Sequence, residues 1–151
     1  MQLRPELMPP VIDAALVVRL AELAGRLDGA RPGEWEDDLA EFNRLAGTAI
    51  PLEEFQGIYG AEEHADYVRR LLFRRLLVPD PALTRSEMTE IVARVMARGD
   101  DRDFYLELFR VNCKHPSGTD LIYWPNLVPE LPPGREPTPE EIADVAMPGR
   151  V

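Results

Sequence analysis

One stretch of the chain decides the predicted fold of its second half, and it is Lys114-His115-Pro116-Ser117-Gly118-Thr119-Asp120-Leu121-Ile122-Tyr123-Trp124-Pro125. Pro116 is predicted to end the helix before it, because proline lacks a backbone N–H and restricts the residue that precedes it. The following Pro-Ser-Gly run is typical of a turn. Thr119 and Asp120 are then predicted to cap one short helical turn. Tyr123 and Trp124 are adjacent on that turn and cannot both point into one core, so at least one is expected to face outward.

The run from His115 to Pro125 resembles the signature of the E-type colicin and S-type pyocin immunity proteins, over about residues 82–146. Those are small four-helix proteins that bind and inactivate a bacteriocin nuclease. Their short third helix carries an aspartate followed by a Tyr-Tyr pair, and Asp120, Tyr123 and Trp124 occupy those places here. The resemblance implies an all-α, four-helix unit with a very short third helix, and tryptophan in place of the second tyrosine keeps an aromatic anchor.

The resemblance also implies which residues contact the partner. The short helix would supply the common anchor, and the exposed face of the preceding helix would supply specificity. The predicted partner-binding residues are Thr119, Asp120, Tyr123, Trp124, Asp103, Leu106, Glu107 and Arg110, with Arg102 on the same face. This face is mixed in charge, whereas known members are mostly acidic and apolar there, so the partner toxin would differ from the familiar ones. A bland alternative stays open, in which the aspartate is only a cap and the aromatic pair is only packing.

Composition indicates an ordinary soluble globular protein. The chain has 151 residues, 45% of them hydrophobic and 29% charged, which suits one compact domain or two small helical units that share a core. No apolar run approaches the roughly 20 residues that a membrane span needs. The first residues lack a signal-peptide pattern, so a cytoplasmic protein is expected. The single cysteine, Cys113, excludes an internal disulfide and metal-binding cysteine pairs.

The net charge of −10 and pI of about 4.7 argue against nucleic acid or an anionic membrane surface as partner. They favour a basic partner, such as a nuclease surface that binds phosphates, although many acidic proteins have no such partner. No enzyme, cofactor or metal site is predicted. The chain has two histidines, and Cys113 and His115 are two residues apart, where helical side chains point to different sides. His64 is expected to be structural.

The first half, residues 1–79, is predicted to be a helical region of unknown role that packs on the second half. Apolar spacing predicts helices over about 11–27, 33–46 and 61–77, with a short helix over 51–55. Val11 and Leu76 are placed on buried faces, and Gly60 is predicted to precede the third long helix. The arginines of that helix, Arg69, Arg70, Arg74 and Arg75, are expected to pair with the acidic start of the second helix or with another subunit. A homodimer stays open.

Val78-Pro79-Asp80-Pro81 is the predicted boundary before the second unit, residues 82–151, because two closely spaced prolines end a helix and stiffen the link. Thr84 to Glu87 and Thr138 to Glu141 are capping boxes that predict helix starts. Helices are predicted to Gly99, over about 101–114 with acidic caps, and to about 146. The predicted function is inhibition of a bacteriocin-type nuclease toxin. The alternative is a helical interaction module of the same fold with another partner.

Overall fold

The computed structural model describes residues 1–57 and 63–149, and all regular elements in these two ranges are helices, which confirms the all-α prediction. The chain divides into two compact units. Residues Pro10–Arg75 form one, which we call the inserted unit. Residues Met1–Pro9 join the chain from Leu76 onward to form the other, which we call the discontinuous unit. The boundary predicted at residues 79–82 and the predicted shared core stay predictions.

The inserted unit contains helices α1 (Ala14–Asp28), α2 (Glu36–Ala46) and α3 (His64–Leu76), with a 3-10 turn at Leu52–Phe55. Its predicted helices are confirmed with shifted ends. The predicted start of the third helix, near residue 61, and Gly60 lie outside the described residues. Buried side chains from the three helices and the 3-10 turn form the core, which comprises Val17, Leu20, Leu23, Ala24, Leu27, Phe42, Ala46, Phe55, Val68 and Leu72.

Two apolar residues that were predicted to be buried are exposed. Helix α1 begins later than predicted because Asp13 is its N-cap, and its carboxylate accepts from the N–H of Ala15 at 2.9 Å. Val11 therefore precedes the helix and is fully exposed. Leu76, the last residue of α3 and the first residue beyond the inserted unit, is 61% exposed.

Two arginines of α3, Arg69 and Arg75, have partners other than the acidic start of α2. Arg69 pairs with Asp66 one turn earlier, at 3.1 Å, and Arg75 donates from Nη1 to a backbone carbonyl at the end of α2, at 2.6 Å. Two acidic residues of α2 instead pair with α1, where Arg19 lies 2.9 Å from Glu41 and Arg26 lies 3.7 Å from Asp38. The predicted pairing with the acidic start of α2 is therefore wrong for Arg69 and Arg75.

Gly47 ends α2 in the left-handed conformation, with φ of 67°. The Arg75 guanidinium occupies the space beside it, so that a Cβ at this position would lie 2.5 Å from Arg75 Nη1. His64, at the start of α3, is half-buried, and its Nε2 lies 2.8 Å from Asp28 Oδ2 at the end of α1. These contacts join the ends of helices that are distant in sequence.

The discontinuous unit contains helices α4 (Arg85–Met96), α5 (Arg102–Asn112), α6 (Asp120–Tyr123) and α7 (Pro139–Ala146), with a 3-10 turn at Pro125–Leu127. Both predicted capping boxes are confirmed. Helix α5 is shorter than predicted, and Asp101 makes no side-chain capping bond at its start. Helix α4 packs against α5 and α7, and α6 packs against α7. The very short third helix is confirmed.

Residues 1–9 form a strap on the discontinuous unit. Leu3 and Leu7 are buried, the second in a 3-10 turn at Pro5–Leu7. Between them, the Arg4 guanidinium lies 2.6 Å from Glu87 and 2.8 Å from Asp80. Glu87 is buried, and its carboxylate also accepts a hydrogen bond from the backbone N–H of the α4 capping box. The Arg4 side chain of the strap therefore compensates a negative charge inside this unit.

Candidate partner-binding surface

A tight turn at His115–Gly118 leads from α5 into the candidate surface. The Gly118 N–H donates to the His115 carbonyl at 3.1 Å, and Gly118 has a φ of +54°, which favours glycine. The Ser117 N–H donates to His115 Nδ1 at 3.0 Å. On the other side of the ring, His115 Nε2 lies 2.7 Å from Glu130 Oε2. The histidine side chain is therefore bonded both to its own turn and to a residue that follows α6 and the 3-10 turn.

Helix α6 is a single turn, and little in its own sequence stabilises it. The N–H groups of Tyr123 and Trp124 donate to Thr119 and Asp120 carbonyls at 3.1 and 2.8 Å, and Thr119 makes no side-chain capping bond. An isolated helix of this length is unstable in water because nucleation is costly. Leu121 is fully buried and anchors the turn to the core. The conformation of α6 therefore depends on tertiary contacts.

Three large apolar side chains protrude from α6 and the 3-10 turn that follows it. Tyr123 is 38% exposed, Trp124 is 59% exposed and Leu127 is 70% exposed. We call these three residues the aromatic surface. The outward orientation expected for at least one aromatic residue is observed for both. Sequence reasoning missed Leu127, although its position one turn after Tyr123 in a proline-initiated turn was a usable signal.

Arg102, the first residue of α5, holds the Tyr123 side chain. Its guanidinium carbon lies 5.3 Å from the centroid of the Tyr123 ring, and its Nη2 donates to the Tyr123 hydroxyl. The Nε of Arg102 is buried and has no hydrogen-bond partner among the described residues. The tyrosine is therefore fixed by a helix other than its own, so α5 and α6 together shape the aromatic surface.

The predicted specificity face of α5 is only partly exposed. Arg110 is exposed and Asp103 is half-buried, but Leu106 and Glu107 are 9% and 2% exposed. The expectation that Leu106 and Glu107 lie on an exposed face is thus wrong. Six consecutive residues of α5, 104–109, are buried, because this helix packs in the interior of its unit. Glu107 is compensated by Arg110, whose Nε donates to its carboxylate at 2.7 Å.

The chemistry around this surface suits binding by side-chain contacts. Burial raises the pKa of the Cys113 thiol, so the thiol stays neutral and is a poor nucleophile. Within residues 1–57 and 63–149, no group of three or more histidine, cysteine or acidic side chains is placed to hold a metal ion. None of the described helices is both long and apolar enough to cross a membrane. Exposed aromatic residues on a compact helical unit form the kind of surface that partner proteins cover.

Comparison with known families agrees with a compact helical unit that binds another protein. Residues 81–147, a little under half of the chain, match the family described as Colicin immunity protein / pyocin immunity protein. The match confirms the resemblance seen in the sequence and supports a role in bacteriocin immunity in general. The family is one of inhibitors rather than enzymes, and it implies a protein toxin as partner. No curated protein and no solved structure matches the chain.

Proposed function

We propose that this protein inhibits a bacteriocin-type nuclease toxin in the cytoplasm by binding it tightly. The observation that carries the proposal is the exposed aromatic surface, which lies inside the segment that matches the immunity family. Tight binding needs a small number of large anchors that become fully desolvated, and tyrosine and tryptophan are the commonest. In the proposed complex Tyr123 and Trp124 are these anchors, with Leu127 beside them.

The geometry of Tyr123 supports a role in binding. A side chain that is already fixed before the complex forms loses less conformational freedom on binding. Arg102 fixes Tyr123 in this way, because its guanidinium stacks on the tyrosine ring and donates to the tyrosine hydroxyl. Thr119 and Asp120, at the start of α6, would contact the partner beside the rings, and the exposed Arg110 and half-buried Asp103 would contribute from α5.

Charge supports a basic partner. The net charge is −10, and Asp100, Asp101 and Asp120 are exposed near the starts of α5 and α6. Surfaces that bind phosphates are rich in lysine and arginine. Long-range attraction between such a surface and an acidic inhibitor raises the association rate and weakens with salt. We therefore propose the catalytic or phosphate-binding side of a basic nuclease as the partner surface.

One observation favours the alternative, a helical interaction module with a partner other than a toxin. Leu106 and Glu107 are buried, so less of the α5 face is available for contact than the resemblance implies. In this alternative the aromatic surface still binds a protein, but the partner has no nuclease activity to inhibit. The two functions therefore differ in the partner rather than in the surface used.

The test begins with the genes next to that of this protein. We expect a neighbouring gene that encodes a toxin with a nuclease domain, and we expect the purified domain to be inhibited by stoichiometric amounts of this protein in a nucleic-acid cleavage assay. Trp124→Ala should weaken the complex by about 2 kcal/mol or more, the usual scale for an interface anchor. Val18→Ala is the matched control, since Val18 is also 59% exposed but lies on α1 of the inserted unit. The absence of such a gene, or uninhibited cleavage by its product, would favour the alternative.

A further inference from the structure

The His115 side chain makes contacts that the partner-binding role does not use. Its Nδ1 accepts the Ser117 N–H at 3.0 Å, so the ring proton is assigned to Nε2 in the neutral imidazole. Nε2–H then donates to Glu130 Oε2 across 2.7 Å. The tautomer with its proton on Nε2 makes both hydrogen bonds, and the Glu130 carboxylate is the acceptor of the second. The imidazole is largely covered, with 17% of the side chain exposed, whereas that of Glu130 is 52% exposed.

The segment between His115 and Glu130 contains the whole aromatic surface. It starts with the turn at Pro116–Gly118, continues through α6 and the 3-10 turn Pro125–Leu127, and ends at Pro129. Only a few side chains of this segment reach the core, with Leu121 and Val128 at 0% and 3% exposure. These two anchors fix the middle and the end of the segment. Both lie after the turn at His115–Gly118 by which the chain leaves α5.

We propose that His115 is a positioning residue for the aromatic surface, and that its contact with Glu130 clamps the two ends of the segment together. The Ser117 bond sets the turn into α6, and the Glu130 bond closes the segment behind the 3-10 turn. Closing a loop in the free protein reduces the entropy that partner binding must otherwise remove. His115 therefore acts on binding through Trp124 and its neighbours without touching the partner.

The inference uses the proposed function only to explain why the orientation of this surface matters. Its test is made on the free protein, so the result does not depend on whether a toxin binds. The chain has two tryptophans, and Trp35→Phe leaves Trp124 as the only indole fluorophore. In this background, fluorescence anisotropy and acrylamide quenching report the mobility and accessibility of Trp124.

Two substitutions of His115 separate the two bonds. In His115→Asn, the side-chain oxygen can still accept the Ser117 N–H, as asparagine does in turns. The asparagine side chain is, however, too short to reach Glu130. In His115→Gln, the amide NH₂ can reach Glu130, but no acceptor remains at the position of Nδ1. We expect lower anisotropy and stronger quenching of Trp124 in both variants. Glu130→Ala breaks the clamp from its exposed end, where a folding defect is not expected, and should have the effect of His115→Asn.

The matched control is Glu136→Ala, which removes another exposed carboxylate from the same long loop. We expect the control to leave the Trp124 signals unchanged and Glu130→Ala to have the same unfolding midpoint as the control. The double variant His115→Asn/Glu130→Ala should show no more effect than either single variant, because one contact is lost in each case. Trp124 signals equal to those of the control would overturn the proposal. So would effects that add in the double variant, or a lower unfolding midpoint for Glu130→Ala, which would indicate a general stabilising contact.

Discussion

Replacing Trp124 and Leu121 separately by alanine distinguishes binding from packing within one short segment. Leu121 is fully buried, and truncation of a buried leucine costs about 2–5 kcal/mol of stability. A buried tryptophan costs about 3–5 kcal/mol on truncation. Because Trp124 is 59% exposed, about two-fifths of that cost applies, which gives roughly 1–2 kcal/mol. We therefore expect Leu121→Ala to be the more destabilising change, although it removes the smaller side chain.

For binding affinity, we expect Trp124→Ala to have the larger effect and Leu121→Ala the smaller one. Trp124→Ala should weaken the complex with the nuclease domain by about 2 kcal/mol or more, roughly a thirtyfold rise in Kd. Leu121→Ala should change Kd less, as long as the variant is folded at the assay temperature. Denaturant unfolding gives the stabilities, and titration calorimetry gives the Kd values. If Trp124→Ala proves to be the more destabilising variant and leaves Kd unchanged, Trp124 is packing and the anchor assignment is wrong.

Three further predictions concern stability. The Arg135 guanidinium, together with the Thr138 capping bonds, lowers the pKa of Glu141 from 4.5 to about 2, so the contribution of the Arg135–Glu141 pair to stability is complete above pH 4.5 and is lost as the pH falls towards 2. The stability difference between wild type and Arg135→Ala, from denaturant titrations, should therefore vanish over that range. Gly47→Ala should lower the free energy of unfolding by at least about 1–2 kcal/mol in the same assay, because it combines left-handed strain with a clash with Arg75. Deleting residues 1–9 should lower the thermal unfolding midpoint, since two buried leucines are lost.

Each of these three stability predictions could be contradicted by experiment. A pH-independent difference for Arg135→Ala would mean that the pair does not form in solution. A Gly47 variant as stable as wild type would mean that the chain or the arginine moves aside at little cost. Gly134→Ala is the control for strain alone, since Gly134 has a φ of +78° but no neighbour within 4 Å of a Cβ. An unchanged midpoint after deletion of residues 1–9 would mean that the strap is not part of the stable unit.

Local signals made most of the helices predictable. Thr84 and Thr138 begin helices because their hydroxyls accept from the backbone three residues later, and such capping boxes are visible in sequence. Asp13 was overlooked as a cap, and the predicted start of α1 was therefore too early. The one-turn α6 was predicted from its turn chemistry together with the family resemblance. At least one of its two aromatic residues was predicted to face outward, because adjacent side chains on one turn diverge.

Features that depend on distant residues were not predictable in the same way. The periodicity of α5 did not indicate that Leu106 and Glu107 are both buried, because a charged residue is a poor candidate for the interior until its partner is known. Arg102 could not be assigned to Tyr123, which lies 21 positions away. Nothing local in the strap showed where its two leucines are buried. Such contacts follow from tertiary packing and require the structure.

The strap has a consequence for how the chain matures during synthesis. Arg4 is bonded to Glu87, 83 positions later, and the whole inserted unit lies between them in the chain. The inserted unit leaves the ribosome and can fold while the strap still lacks the helix on which it packs. Contacts at such a separation form late, because loop closure must precede them. Residues 1–9 should therefore dock late, although they are made before the inserted unit, and until then Leu3 and Leu7 are exposed to water, proteases and chaperones.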